Sequence, residues 1–178
     1  MSRSSQLGAV GIKGTAASGG GIFTVSGSGA DIWNTADAFQ FVHQTLNGDG
    51  QLVARVRSIE NTHRWAKAGV MIRANLNANA AYAMMLVSAA SGSSFQWRST
   101  SGGVSSSVSG GAAIVAPEWL KIVRAGSMLT GYQSSDGVTW KSLASASVPM
   151  GASVAIGLAV TSHDSTKLAK GVFESVSR

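Results

Sequence analysis

Period two runs through most of this chain and constrains its fold more than any other feature. Phe39, Phe41 and His43 alternate with Gln40, Val42 and Gln44, and Leu52, Ala54 and Val56 alternate with Val53, Arg55 and Arg57. From Ala66 to Arg73, one set is Ala66, Ala68, Val70 and Ile72, and the other is Lys67, Gly69, Met71 and Arg73. Successive side chains of a strand face opposite sides, so each set lines one face of a sheet. Comparable runs over 81–88, 94–100, 119–124, 128–134, 138–146, 153–162 and 168–176 read as strands, separated by turn residues at the spacing of sandwiches and barrels. Asn47-Gly48-Asp49-Gly50 marks one junction, and Asp136-Gly137 gives a strong hairpin signal between two strands. The Gly/Ser-rich stretches 14–30 and 101–111 read as loops and edge strands. Ala78–Met85 has the propensity for a short helical turn. No longer helix is supported, and strands do not alternate with helices, which disfavours an α/β fold. The expected architecture is all-β, an antiparallel two-sheet jelly-roll sandwich with its inner faces buried against each other. One outer face is expected to be concave, with the polar members of its strands lining a shallow groove.

The 178 residues suit one domain spanning 1–178, with 1–6 as a loose tail. Without cysteine, disulfides, thiolate metal sites and a cysteine nucleophile are excluded. Only 12% of residues are charged, about half the usual ~25%. Ser, Thr, Asn, Gln and Gly must then cover the surface, as suits an exported sugar binder or a subunit packed closely in an assembly. No apolar run approaches the ~18 residues of a membrane span. No apolar leader follows Met1, so the extracellular or cell-surface location expected here needs a leader outside this sequence. The net charge is +6, but the basic residues are dispersed with no run of three, and nucleic acid is not an expected partner.

Catalysis is disfavoured by the acids. They are Asp31, Asp37, Asp49, Glu60, Glu118, Asp136, Asp164 and Glu174, and no two lie two or four positions apart. A retaining glycosidase needs a carboxylate pair ~5–5.5 Å apart, which alternate positions of a strand would supply. His43, His63 and His163 are isolated and lack metal-ligand spacing. No Gly-x-Ser-x-Gly elbow joins a strand to a helix. The expectation is a protein that is not an enzyme.

Several blocks carry a resemblance: Phe23-Thr-Val-Ser-Gly-Ser-Gly-Ala-Asp-Ile-Trp33, Asp37-Ala-Phe39, Gly48-Asp-Gly50, Val53-Ala-Arg-Val56, Trp65-Ala-Lys-Ala-Gly-Val-Met-Ile-Arg73, Phe95-Gln-Trp-Arg98, Tyr132-Gln-Ser-Ser-Asp-Gly-Val-Thr-Trp140 and Gly157-Leu-Ala-Val-Thr-Ser-His163. In order and spacing, over residues 7–176, they resemble a bacterial family of concanavalin A-like lectin/glucanase (laminin-G-like) domains, largely of unassigned function. The resemblance implies the fold more strongly than any activity. Relatives usually carry Asp-Asn after the last-strand Phe, where this chain has Phe173-Glu-Ser-Val176. In the wider superfamily an acid there can help hold a structural Ca²⁺. Glu174, with Asp31 and Asp49, is the set this chain offers for one, and no other cofactor is expected.

The candidate ligand-binding residues are Trp33, Trp65, Lys67, Arg73, Gln96, Arg98 and His163. Trp33 and Trp65 stand at loop-to-strand boundaries and offer a stacking platform. Lys67 and Arg73 share a face, and Gln96, Arg98 and His163 join them from neighbouring strands in a basic, amide-bearing groove. Small Gly157, Ala159 and Thr161 leave room above for a ligand. The competing reading is a solvated outer face braced by ion pairs to Asp37 or Glu60. Trp97 and Trp119 read as core, and Trp140 as a clamp on the Asp-Gly hairpin. The function expected is a non-catalytic carbohydrate-binding or adhesion module for a neutral or acidic glycan or polysaccharide. Replacing Arg73 and Arg98 by Ala should then abolish binding and leave the fold intact. The rival is a self-assembling structural subunit of a filament, matrix or capsid decoration, a homo-oligomer in which a flexible tract 1–20 pairs with a neighbour's sheet edge.

Overall fold

The structure, a computed structural model, describes Met1–Arg178. In chain order its strands are β1 (Arg3–Leu7), β2 (Thr15–Gly19), β3 (Ile22–Gly27), β4 (Ile32–Trp33), β5 (Ala36–Asp37) and β6 (Phe39–Asn47). There follow β7 (Gly50–Ile59), β8 (Lys67–Arg73), β9 (Tyr82–Ser88), β10 (Ser93–Arg98) and β11 (Ser106–Gly111). The last are β12 (Glu118–Ala125), β13 (Met128–Ser134), β14 (Lys141–Ser147), β15 (Ser153–Thr161) and β16 (Ala169–Ser177). The first sheet runs β1-β6-β15-β8-β9-β10-β11, the second β14-β13-β12-β7-β16-β3-β2, and β4-β5 form a small hairpin. Every pairing is antiparallel.

Alternation places the main core. Ala68, Val70 and Ile72 of β8, Ala83, Met85 and Val87 of β9, and Leu158 and Val160 of β15 point inward from the first sheet. They meet Ala54 and Val56 of β7, Leu120 and Ile122 of β12, and Phe173 of β16 from the second. Each large apolar side chain hidden this way contributes about 1.5–3 kcal/mol. Trp97 packs on this core as expected and stacks with Phe95, ring centroids 5.5 Å apart.

Four local expectations change. Residues 3–7 are not a loose tail but an edge strand in register with β6, Arg3 opposite His43 and Leu7 opposite Phe39. Thr15–Gly19 likewise pair with β3, so half of the tract 1–20 already sits in the chain's own sheets. Ala78–Met85 is not helical beyond one hydrogen-bonded turn, Ala80 N–H to the Asn77 carbonyl at 3.1 Å, because Tyr82–Ser88 is a strand buried on both faces. Trp119 is half-buried on the outer face of the second sheet rather than in the core. The Asp-Gly hairpin forms: Asp136 accepts from the backbone N–H groups of Val138 and Thr139, at 2.8 and 2.7 Å. Trp140 does not clamp it; its ring lies 4.3 Å from Nζ of Lys121. Trp119 is the ring against which Gly137 of that turn rests.

The feature that shapes the site is a third layer. Residues 28–38, with the β4–β5 hairpin, lie over the outer face of the first sheet. Ile32 plugs into an apolar cluster of Leu7, Phe39, Phe41, Met71, Tyr82, Met84, Leu86 and Ala159. β8 and β9 are therefore buried on both sides, and part of the expected open groove is filled.

Candidate functional site

Register across the first sheet decides which side chains meet on its outer face. Lys67 and Arg73 stand at opposite ends of β8 on that face. Arg73 is opposite Tyr82, and Tyr82 opposite Arg98. Toward the other end, Gln96 of β10 is opposite Ser107 of β11, with Ser94 two positions along β10. The face thus has a closed end around the two arginines and an open end around Lys67, Ser94, Gln96 and Ser107.

At the closed end, Arg73 and Arg98 are both 0% exposed and share the carboxylate of Asp37. Arg98 reaches Asp37 Oδ1 at 2.7 Å and Oδ2 at 2.9 Å. Its other donors go to the carbonyls of Trp33, Asn34, Ala80 and Gly103, at 2.9–3.2 Å. Arg73 reaches Asp37 Oδ2 at 3.2 Å and the carbonyls of Asn75 and Asn77 at 2.9 and 2.6 Å. Tyr82 lies under both guanidiniums, 5.9 and 5.0 Å from its ring centroid. Burial pulls the Arg73 pKa down, and Asp37 opposes it. Burial and the Asp37 charge push the Tyr82 phenol up. A buried charge is tolerable only when paired and hydrogen-bonded, and here every nitrogen of both guanidiniums bonds to protein. These two residues hold the third layer down. They do not line the pocket, and their substitution by Ala would not leave the fold intact as the sequence suggested.

At the open end is a pocket of about 330 Å³ lined by Trp33, Trp65, Lys67, Gln96 and His163, together with Asp31, Ser94 and Ser107. Five of the seven sequence candidates thus converge. Trp33 comes from β4, Trp65 from the crossing between β7 and β8, and His163 from the turn after β15, in a left-handed backbone conformation (φ 56°). Lys67 is 4% exposed, with Nζ 5.5 Å from the Trp33 ring centroid and 5.9 Å from that of Trp65. It donates to the Ile32 carbonyl at 3.0 Å and Gln96 Oε1 at 3.2 Å, and pairs with Asp31 Oδ1 at 2.8 Å. Burial lowers the Lys67 pKa, and Asp31 pulls against that. Gln96 gives its amide hydrogens to the Ile32 carbonyl and the Tyr82 hydroxyl, both at 2.7 Å.

The histidines are isolated in sequence, but two of them meet. His63 stacks on His163 with centroids 4.1 Å apart, and His63 Nδ1 accepts the Trp65 backbone N–H at 3.0 Å. His163 Nδ1 lies 3.3 Å from Asp31 Oδ2 without an aligned hydrogen bond. The room expected above Gly157 is absent. A Cβ there would strike the Val42 carbonyl of the next strand, and Ala159 is covered by the apolar layer. Nor are the acids offered for a Ca²⁺ brought together. Asp31 pairs with Lys67, Asp49 accepts the Gly126 N–H, and Glu174 pairs with Arg55 and Arg57.

No protein-family model matches this chain, and no curated protein matches it. Solved structures do. A functionally unknown protein from Saccharomyces cerevisiae superposes with a TM-score of 0.73 at 17% identity, over 92% of this chain and 90% of that one. The carbohydrate-binding module CBM66 from Bacillus subtilis does so with 0.62 at 16%, over 97% and 92%. The metal-free form of lectin I-B4 from Griffonia simplicifolia gives 0.55 at 10%, over 93% and 92%. The fold is a concanavalin A-like jelly roll.

Within this concanavalin A-like sandwich, Asp31, Ser94 and Ser107 are the pocket residues that the sequence reading left out. Ser94 shares the parity of Gln96 and was findable on that ground. Ser107 needed the β10–β11 register, and Asp31 needed the path of the third layer.

Proposed function

We propose that this chain is a non-catalytic carbohydrate-binding module, of the extracellular or cell-surface kind expected from its composition, and that the Trp33–Trp65 pocket is its sugar site. One observation carries the reading: two indoles 32 residues apart in sequence border one small pocket whose other walls are hydroxyl, amide, imidazole, ammonium and carboxylate groups. A sugar ring presents apolar C–H faces and a rim of hydroxyls, and such a lining answers both. The fold similarity to a carbohydrate-binding module and a lectin is consistent with this. The acids support a binding role over hydrolysis. Asp31 is the carboxylate at the pocket, while Asp37 lies sealed between Arg73 and Arg98. Paired-carboxylate hydrolysis needs a second acid facing the same bond.

The test is binding to an array of polysaccharides by the native chain and by Trp33→Ala and Trp65→Ala. Trp65 is 39% exposed and belongs to neither apolar core cluster, so its removal should leave the chain folded. Affinity should fall at least tenfold, or about 1.4 kcal/mol. Binding that survives both substitutions would place the sugar site elsewhere.

A further inference from the structure

We infer that this pocket selects neutral, hydroxyl-rich sugars and turns away uronates, although the protein carries a net charge of +6. The inference rests on the pocket being the sugar site proposed above. It follows from counting which polar atoms a ligand can still use.

The cation in the pocket is already spent. The Lys67 ammonium has three N–H donors, and it has three acceptors: the Ile32 carbonyl, Gln96 Oε1 and Asp31 Oδ1. Gln96 has likewise committed both amide hydrogens. The Asp31–Lys67 pair is also oriented against an anion. Lys67 is 4% exposed at the bottom, while the Asp31 side chain is 23% exposed above it. An entering carboxylate would meet the carboxylate of the pair before the ammonium. Arg64, next to Trp65, does not line the pocket and gives its Nε to Ser91 at 2.8 Å.

What remains free suits hydroxyls. The indole N–H groups of Trp33 and Trp65 and the Ser107 hydroxyl have no protein partner, and Asp31 Oδ2 and His163 Nδ1 lack an aligned one. A sugar hydroxyl gives one hydrogen and accepts others, so it can serve both kinds of group. A uronate would leave water for a site with no unspent lysine or arginine, and an uncompensated charge is costly there.

The experiment compares each neutral oligosaccharide with its C6-oxidised counterpart: mannotetraose against β-1,4-tetramannuronate, cellotetraose against β-1,4-tetraglucuronate, and any other neutral glycan that binds the array against its own uronate. Titration calorimetry is run with native protein and Trp65→Ala at about 150 mM salt, which screens the general positive field. The expected result is Trp65-dependent binding of a neutral glycan, with its uronate weaker by roughly tenfold or more. Trp65-dependent binding of a uronate with equal or higher affinity would overturn the selectivity and leave the sugar site standing. Failure of every neutral and acidic glycan to bind would overturn both.

Discussion

Replacing Arg98 by Lys keeps the charge and removes the fork, so it separates what the guanidinium does geometrically from what it does electrostatically. Arg98 spends its donors on both Asp37 oxygens and on the carbonyls of Trp33, Asn34, Ala80 and Gly103. An ammonium has fewer donors and none in a planar array. It can keep the Asp37 contact and at most two of the carbonyls of Trp33, Ala80 and Gly103, leaving at least one buried acceptor unpaired, while the Asn34 carbonyl keeps its bonds from Ser105. Each unpaired acceptor costs about 1–3 kcal/mol, so the loss should be at least about 1–3 kcal/mol. That is a large part of the ~5–15 kcal/mol that holds a domain folded. A chain of this length loses about 2–4 °C of Tm per kcal/mol, which gives a fall of roughly 2–12 °C. Thermal and urea unfolding at neutral pH, followed by far-UV circular dichroism, would measure it. A loss below about 1 kcal/mol, the range of an exposed ion pair, would refute the reasoning. If glycan affinity collapsed at the same time, Arg98 would be a ligand contact after all.

Two further predictions concern the second sheet. Hydrogen bonds from the Thr139 and Val138 backbone, and from the Ser134 hydroxyl, hold the Asp136 pKa down to about 2. Its folded value lies below the unfolded value of about 3.9, so the turn's support is complete above pH ~4 and is lost as pH falls toward 2. A carboxyl NMR titration should place the Asp136 midpoint near 2, and a midpoint at the ordinary carboxylate value would contradict the turn geometry. Gly131→Ala would drive a methyl into the Phe95 ring across the main core. Such overpacking should destabilise by about 1–3 kcal/mol, and an unchanged urea midpoint would show that the two sheets pack less closely there than the structure describes.

Much of the fold was legible because alternation is a local property. Ala68, Val70 and Ile72 face the core for the same reason that they occupy alternate positions, and no distant information is needed to see it. The strand missed as a strand, β1, and the two read only as loops and edge strands, β2 and β3, are rich in Ser, Thr, Ala and Gly. They form because a neighbour offers an open edge, β6 for β1 and β16 for β3. Their own side chains say little about it. The helical bias of Ala78–Met85 was overridden in the same way: β8 and β10 flank residues 82–88 and satisfy their backbone as a strand.

The site was half legible, and the failing half has one cause. Parity correctly put Lys67 and Arg73 on one face of β8, but parity cannot say whether a further layer covers that face. Residues 28–38 do cover it, and the same sheet face changes character within the length of one strand. At one end two arginines are sealed against Asp37; at the other Lys67 forms the floor of an open pocket. The signal lay in the acid inventory. With eight acids against fourteen Lys and Arg, and Asp37 set directly before the apolar alternation that starts at Ala38-Phe39, a carboxylate there is better explained by a buried cation than by solvent. Reading Asp37 as the partner of the outward-facing arginines, and asking what must then cover all three, would have predicted the third layer. It would also have moved the ligand toward the end of the sheet where the tryptophans stand.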